Sequence, residues 1–236
     1  MDKLAIISDV HANYFALKAV LKDIESNGIH SVICLGDMVG YGSMPNECIT
    51  ELRSRNIKCL LGNHDSYLIG DTNCERSNTV VDIINRHKAE VSYENKHWLS
   101  NLKSRYFFEK KLFVHGGPDD HLDQYIYSVS KELFKVLPPE IKILICGHTH
   151  VQTLNTLGDF TFLNPGSVGQ PRDGDNRASY AIFDEDEIYL KRVPYDVQAA
   201  MDDASDKGYP PQCYLNLMDG AQIGGRIDKI HVTLEI

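Results

Sequence analysis

The chain lacks a C-x-x-C pair, a long apolar run and an excess of positive charge, and each absence removes a class of protein. The longest apolar runs are about four residues, at 4–7 and 143–146, whereas a membrane-spanning helix needs about 20. The opening Met1-Asp2-Lys3-Leu4 lacks the charged-then-apolar layout of a signal peptide and reads directly as the approach to a strand. Six cysteines stand at 34, 48, 59, 74, 146 and 213, and Cys34, Cys59 and Cys146 lie inside apolar runs where a thiol serves as a small hydrophobe. The expectation is a reduced, cytoplasmic protein with neither a disulfide framework nor a thiolate zinc site, and with no membrane partner. The 24 basic and 33 acidic side chains leave a net charge of −9, which argues against a nucleic-acid partner held on a broad basic face. A phosphate substrate remains open to such a chain if positive charge is supplied locally. What is plentiful is histidine, 10 in 236 residues.

At this length one large domain or two small ones can bury a core. Short apolar runs alternate with helical patterns through residue 150. Lys3 to Ser8, Ser31 to Leu35 and Ile57 to Leu61 read as strands, separated by helical spacing at Tyr14, Leu17, Val20, Leu21 and Ile24 and by a helix over 45–55. Residues 80–102 read as helical, with Val81, Ile84, His87, Val91 and Trp98 inward. Strands at 111–115 and 141–146 come next. Beyond residue 150 the pattern turns to hairpins, at 151–157 with 160–163 around Gly158-Asp159, and at 180–183 with 187–193 around Asp184-Glu185-Asp186. A short helix after Pro194 and a last strand over 230–236 complete an α/β chain, expected to be one domain (1–236) with two β-sheets.

The informative residues stand at the C-terminal ends of the apolar strands. The five strands up to residue 150 end in Asp9-Val10-His11, in Gly36-Asp37, in Gly62-Asn63-His64-Asp65, in His115-Gly116-Gly117 and in Gly147-His148-Thr149-His150. The C-terminal ends of parallel strands gather at one sheet edge, where such folds place ligands. Asp, Asn and His converging there form a metal site, with glycines permitting close backbone approach. Oxygen and imidazole donors without thiolate suit Mn²⁺, Fe, Zn²⁺ or Ni²⁺ better than Ca²⁺. There are too many donors for one ion, and two ions sharing a carboxylate is the economical reading.

The ordered set D-x-H, G-D, G-N-H-D, H-G, G-H-T-H resembles the calcineurin-like metallophosphoesterases over residues 3–150. The run Asn164 to Arg172, N-P-G-S-V-G-Q-P-R, is similar to their small prokaryotic phosphodiesterase-like branch. The resemblance implies a four-layer α/β/β/α sandwich with two mixed β-sheets. It implies that Asp9, His11 and His150 bind one metal, that Asn63, His115 and His148 bind a second, and that Asp37 bridges them, manganese being the favoured ion. It makes His64 the non-ligand catalytic histidine and Asp65 the carboxylate that orients it. Two close cations generate hydroxide from a bridging water near neutral pH and clamp the phosphoryl oxygens for in-line displacement. His64 is then placed to stabilise the pentacoordinate phosphorus or to protonate the leaving oxygen.

Arg172 is a candidate ligand for substrate phosphate through its fork of donors, with a structural role in its loop as the alternative. Tyr41 is a candidate cleft residue. Ser167 has no strand–helix elbow or paired base and is not a nucleophile. His30, His87, His97, His121 and His231 match no motif and read as surface or packing residues. Segments 71–110 and 119–139 are candidate cleft walls. Ser/Thr protein phosphatases of the same superfamily carry G-D-x-x-D-R-G, and the arginine of that motif is absent from Gly36 to Gly42 here. The expected function is hydrolysis of a small phosphodiester or nucleotide. A phosphomonoesterase or protein phosphatase is the alternative, and a non-catalytic metal-binding scaffold the third reading.

Overall fold

The computed structural model describes residues 3–185 and 187–233. The first half of the chain runs β1 (Leu4–Ile7), α1 (Tyr14–Ser26), β2 (Ser31–Cys34), α2 (Pro45–Ser54), β3 (Lys58–Cys59), α3 (Asn63–Ile69), α4 (Asn78–Glu90) and α5 (Tyr93–Leu99). It continues as β4 (Arg105–Phe108), β5 (Lys111–Val114), β6 (Ser128–Val129), α6 (Glu132–Lys135), β7 (Ile143–Ile145), β8 (Thr153–Leu157) and β9 (Phe160–Asn164). Then come β10 (Ala178–Asp184), β11 (Glu187–Val193), α7 (Val197–Asp206), two short 3₁₀ turns and β12 (His231–Val232).

Two five-stranded mixed sheets form the centre, in the orders β11-β10-β1-β2-β3 and β4-β5-β7-β9-β8. In the first, β1, β2 and β3 are parallel and β10 and β11 return antiparallel. In the second, β5, β7 and β9 are parallel and β4 and β8 are the antiparallel edges. Strand alternation explains the stacking, because successive side chains point to opposite faces. Ile6, Ile33 and Leu35 point inward and meet Phe113, Ile145 and Leu163 of the second sheet. Their neighbours Ala5, Ile7 and Cys34 point outward and pack under Leu17, Val20, Leu21 and Ile24 of α1 and Ile49 and Leu52 of α2. The outer face of the second sheet, Leu112, Val114, Leu144 and Phe162, is covered by Ile126, Phe134 and Leu137 of the 116–142 segment. The layers are therefore helix, sheet, sheet and a thin helical cover.

Several expected elements change in detail. The helix over 80–102 is two helices, broken at Val91-Ser92, where the Ser92 hydroxyl accepts from the Asn95 N–H (3.2 Å) and starts α5. The buried face of α4 carries Val80, Ile83, Ile84 and His87, while Val81 stays half-buried. The third strand shrinks to β3, continued by a single bridge from Leu60 to Lys103. β4 and β6 have no clear alternation in the sequence and exist through pairing, β6 with β12. The expected last strand is present as β12; Leu234 and Ile236 lie outside the described residues, as does Asp186 of the acidic turn. All six cysteines are unpaired, five of them buried. Among the described residues no helix is long and apolar enough to cross a membrane.

Phe113 is fully buried where the two sheets meet. Phe113→Ala is expected to cost about 3–5 kcal/mol of stability, read by urea unfolding.

Candidate metal centre

The polar strand ends meet between the two sheets rather than along one of them. Asp9 and His11 follow β1, Asp37 follows β2 and Asn63 and His64 open α3, all from the first sheet. His115 follows β5, and His148 and His150 follow β7, from the second. All eight are buried. Backbone bonds lock the loops together: Asp9 N–H to Gly36 O (3.0 Å), His11 N–H to Asp37 O (2.9 Å) and Gly147 N–H to His115 O (2.9 Å). A Cβ at Gly62 would overlap the Asp37 carboxylate, so a side chain there would open the gap between the second and third strand ends.

Asp9, His11, Asp37, His148 and His150 all hold positive φ, between 47° and 66°. For residues other than glycine this left-handed backbone costs about 1–2 kcal/mol each. Strain concentrated on these side chains marks a site rather than a packing core.

The donor atoms converge. His11 Nε2 and His150 Nε2 lie 3.1 Å apart. Each ring has its other nitrogen on a carbonyl, His11 Nδ1 on Val39 O (2.8 Å) and His150 Nδ1 on Gln170 O (2.6 Å). Those carbonyls require N–H at Nδ1, so two Nε2 lone pairs face each other, an arrangement that calls for a cation or a proton between them. Asp9 Oδ1 stands 3.3 Å from His150 Nε2. On the other side His115 Nε2 lies 3.1 Å from His148 Nδ1, 3.0 Å from Asn63 Oδ1 and 3.3 Å from Asp37 Oδ2. Asp37 Oδ2 has no hydrogen-bond partner among the described residues and is 3.6 Å from His11 Nε2, so it stands between the two groups. Among the described residues three sets have the spacing to hold a metal ion: Asp9, His11 and His150; His11, Asp37 and His64; Asp37, His115 and His148.

Burial opposes charge on every one of these groups, yet their neighbours decide the outcome. Burial raises the Asp9 carboxyl, but the adjacent His150 and His115 hold it well below the usual range. Burial likewise works against His115, and the Asp37 charge overrides it, pushing His115 up to about 9. Burial and the proximity of His150 push His11 far down. The carboxylates thus favour positive charge at this point, which a bound cation would supply.

Asp65 departs from its expected role. It accepts from the backbone N–H groups of Asp37 (2.8 Å), Met38 (2.9 Å), Val39 (3.2 Å) and Gly62 (3.1 Å), and forms no hydrogen bond with His64. Burial and the Asp37 charge push it up to about 7, opposed by the Gly62 and Met38 N–H groups. It pins the 37–39 loop to the start of α3. His64 is placed instead by its own N–H donating to Asp37 Oδ1 (2.8 Å) and by the rings of His11 and Tyr41, each 4.9 Å away. Its Nδ1 has no partner among the described residues, and burial pushes the ring down to about 3.

Arg172 and Tyr41 come together. Arg172 Nη2 donates to Tyr41 Oη (3.1 Å) and Gln170 Oε1 (3.0 Å), and the Tyr41 ring packs edge-on to His11 at 4.7 Å. Arg172 is 3% exposed; among the described residues no ion pair neutralises it, and its Nε has no partner. Ser167 is structural, donating to Asp9 O (2.7 Å) and accepting from Gln170 N–H (2.8 Å). His87 is a packing residue under the 40–42 loop, accepting from Gly40 N–H at Nδ1 (3.2 Å), with Nε2 on Gly42 O (3.0 Å).

A cleft of about 340 Å³ opens beside Tyr41 and Arg172. Of the expected walls, 71–110 contributes Arg76, Ser77 and Val80 and 119–139 contributes Tyr125, while Gln222 and Ile223 complete the lining. Neither Arg76 nor Tyr125 stands in a motif or at a strand end, and only tertiary contacts bring them in. Arg76 is ion-paired to Asp123, which also accepts from Tyr67 Oη (2.8 Å), and the Tyr125 ring lies 3.8 Å from that of His148.

Fold and donor set define a phosphoric ester hydrolase of the metal-dependent kind, and comparison with known proteins gives the family. The calcineurin-like phosphoesterase superfamily domain matches residues 3–187, and the chain belongs to that family. It is 36% identical to the uncharacterized protein MJ0912 of Methanocaldococcus jannaschii, over 84% of this chain and 89% of that one. It is 26% identical to the phosphodiesterase YfcE of Escherichia coli, over 79% of this chain and 89% of that one. The crystal structure of a metallophosphoesterase from Sphaerobacter thermophilus superposes with a TM-score of 0.82 at 31% identity, covering 93% of this chain and 99% of the other.

Two outcomes test the site and its packing. His150→Ala removes one of two facing lone pairs. Mn²⁺ should raise the melting temperature of the parent protein, and that rise should shrink in the variant. Burial pushes His87 down to about 4, below an unfolded value of about 6.5. As pH falls through that window the unfolded chain takes up the proton first, so stability present above about pH 6.5 is lost toward pH 4. Between pH 7 and pH 5 the parent should lose about 2 kcal/mol more than His87→Gln in urea unfolding.

Proposed function

We propose that the chain hydrolyses a small phosphodiester, or a nucleotide, at a dinuclear metal centre, and that its catalytic unit is the chain as a whole. Asp9, His11 and His150 hold one divalent transition-metal ion, Asn63, His115 and His148 hold the other, and Asp37 lies between. The pair of facing imidazole lone pairs at 3.1 Å supports the metal reading. Arg172 carries the substrate reading: a buried guanidinium without an ion pair among the described residues, beside that pair and open to a cleft, is matched by a phosphoryl oxygen. The cations, manganese favoured among Mn, Fe, Zn and Ni, supply Lewis acidity that activates water and offsets phosphoryl charge.

The chain's own groups do the rest. Arg172 holds a non-bridging phosphoryl oxygen, with Tyr41 fixing its Nη2. His64, kept neutral by burial, donates an N–H hydrogen bond toward the phosphoryl group rather than acting as an imidazolium acid. Water oxygen bonds to phosphorus, the ester P–O bond breaks, and one of the water's protons ends on the leaving oxygen. Room beside Arg172 for a second ester arm, together with the likeness to a phosphodiesterase, favours a diester over a monoester. The unpaired cysteines support a reducing, cytoplasmic setting.

In Mn²⁺-supplemented assays an aryl phosphodiester should turn over faster than the matching monoester. The reverse order would assign a phosphomonoesterase, and turnover of neither with cations bound would assign a scaffold. His64→Ala should slow diester turnover by about 10²- to 10³-fold with metal content unchanged by elemental analysis.

A further inference from the structure

We propose that the cleft beside the metal centre is a subsite for the non-reacting arm of the diester, and that this arm is a planar ring carrying a second anionic group, as in a nucleoside phosphate. The inference rests on the phosphodiesterase reading above and adds to it the chemistry of the substrate.

The cleft adjoins the centre through its lining residues. Tyr41 and Arg172 line it and touch the centre at one end, and Tyr125 packs on His148. Its size, about 340 Å³, falls within the range of about 300–1,000 Å³ typical of small-molecule pockets. Its lining is of two kinds. Val80, Ile223 and the Tyr125 ring give apolar and aromatic surface; Arg76, Ser77 and Gln222 give polar groups, and among the described residues no carboxylate lines it. Arg76 lies over the Tyr125 ring at 5.2 Å, so guanidinium and ring border the cleft together. Tyr127 stacks against Tyr125 at 5.6 Å and 4° and helps to hold its orientation. Flat aromatic and guanidinium surfaces are what a nucleobase stacks on, and such stacking tolerates any base.

Two arginines divide the anions by position. Arg172, buried and unpaired among the described residues, faces the reacting phosphate. Arg76 is half-buried, ion-paired to Asp123 and bordered by the Tyr67 and Tyr125 hydroxyls, and it lines the cleft where a second phosphate can compete for its donor fork. The segments that build this wall are also separate from those that build the centre. Gln222 and Ile223 lie beyond the 3–187 family match, and Arg76 and Tyr125 lie between motifs. The C-terminal segment is held against the insert by β12 on β6 and by Tyr127 Oη donating to Asp228 Oδ2 (3.1 Å). A wall assembled apart from the shared chemistry is where the substrate is chosen.

The test uses three diesters with one leaving group: methyl p-nitrophenyl phosphate, thymidine 5′-(p-nitrophenyl phosphate), and the latter bearing a 3′-phosphate. kcat/KM should rise about tenfold on adding the nucleoside and again on adding the phosphate. Tyr125→Ala and Ile223→Ala should collapse the first ratio, and Arg76→Ala the second. Because ratios are read, a general loss of activity does not mimic the result. Equal kcat/KM for all three substrates, or ratios kept in the variants, would overturn the subsite. If no diester is hydrolysed the phosphodiesterase reading fails instead, and a binding measurement still judges the subsite. Thymidine 3′,5′-bisphosphate should raise the melting temperature of metal-free protein more than inorganic phosphate does, and an equal shift rejects it.

Discussion

Two imidazole lone pairs, on His11 and His150, are held face to face with nothing of the chain's own to separate them. Everything around them serves to keep them there. Carbonyl groups of Val39 and Gln170 fix the tautomers, and left-handed backbone at both residues aims the rings. The 164–172 loop braces the second ring, with Asn164 Nδ2 donating to Gly147 O (2.7 Å) and Arg172 N–H to His150 O (3.2 Å). A fold that accepts facing lone pairs, strained backbone and two buried carboxylates stores energy that a bound cation relieves, so the site is preorganised at the expense of the empty protein.

The two sheets matter for the same reason. Each supplies part of the donor set: Asp9, His11, Asp37, Asn63 and His64 come from the first, and His115, His148 and His150 from the second. The apolar layer formed by Ile6, Leu35, Phe113 and Ile145 fixes the distance between the strand ends, and the metal centre inherits that distance. Packing in the core and geometry at the site are thus one constraint.

The convergence of these Asp, Asn and His donors is legible in the sequence because they follow apolar strands, and strand ends in such a fold share an edge. Ser167 is legible as a non-nucleophile for lack of a partner base. Asp65 differs from its expected role because adjacency to His64 suggests a pair that the backbone forbids. The two open α3, where consecutive side chains diverge by about 100°, and Asp65 at the third position turns back onto the helix N-terminus. The break between α4 and α5 hides in a helical pattern that continues across Ser92. Arg76, Asp123 and Tyr125 carry no periodicity and no motif spacing. They join through an ion pair and ring contacts between segments about 50 residues apart, which no local pattern records.

The strand order of the first sheet has a consequence for how the protein is made. β1 sits between β2 and β10, with Leu4 opposite Phe183. One edge of β1 therefore stays open until the whole second sheet has been synthesised. Long-range pairing of this kind slows folding and leaves an unpaired edge exposed meanwhile. It also means that the full donor set, with Asp9 and His11 on one sheet and His115, His148 and His150 on the other, assembles only after the chain through residue 150 has emerged.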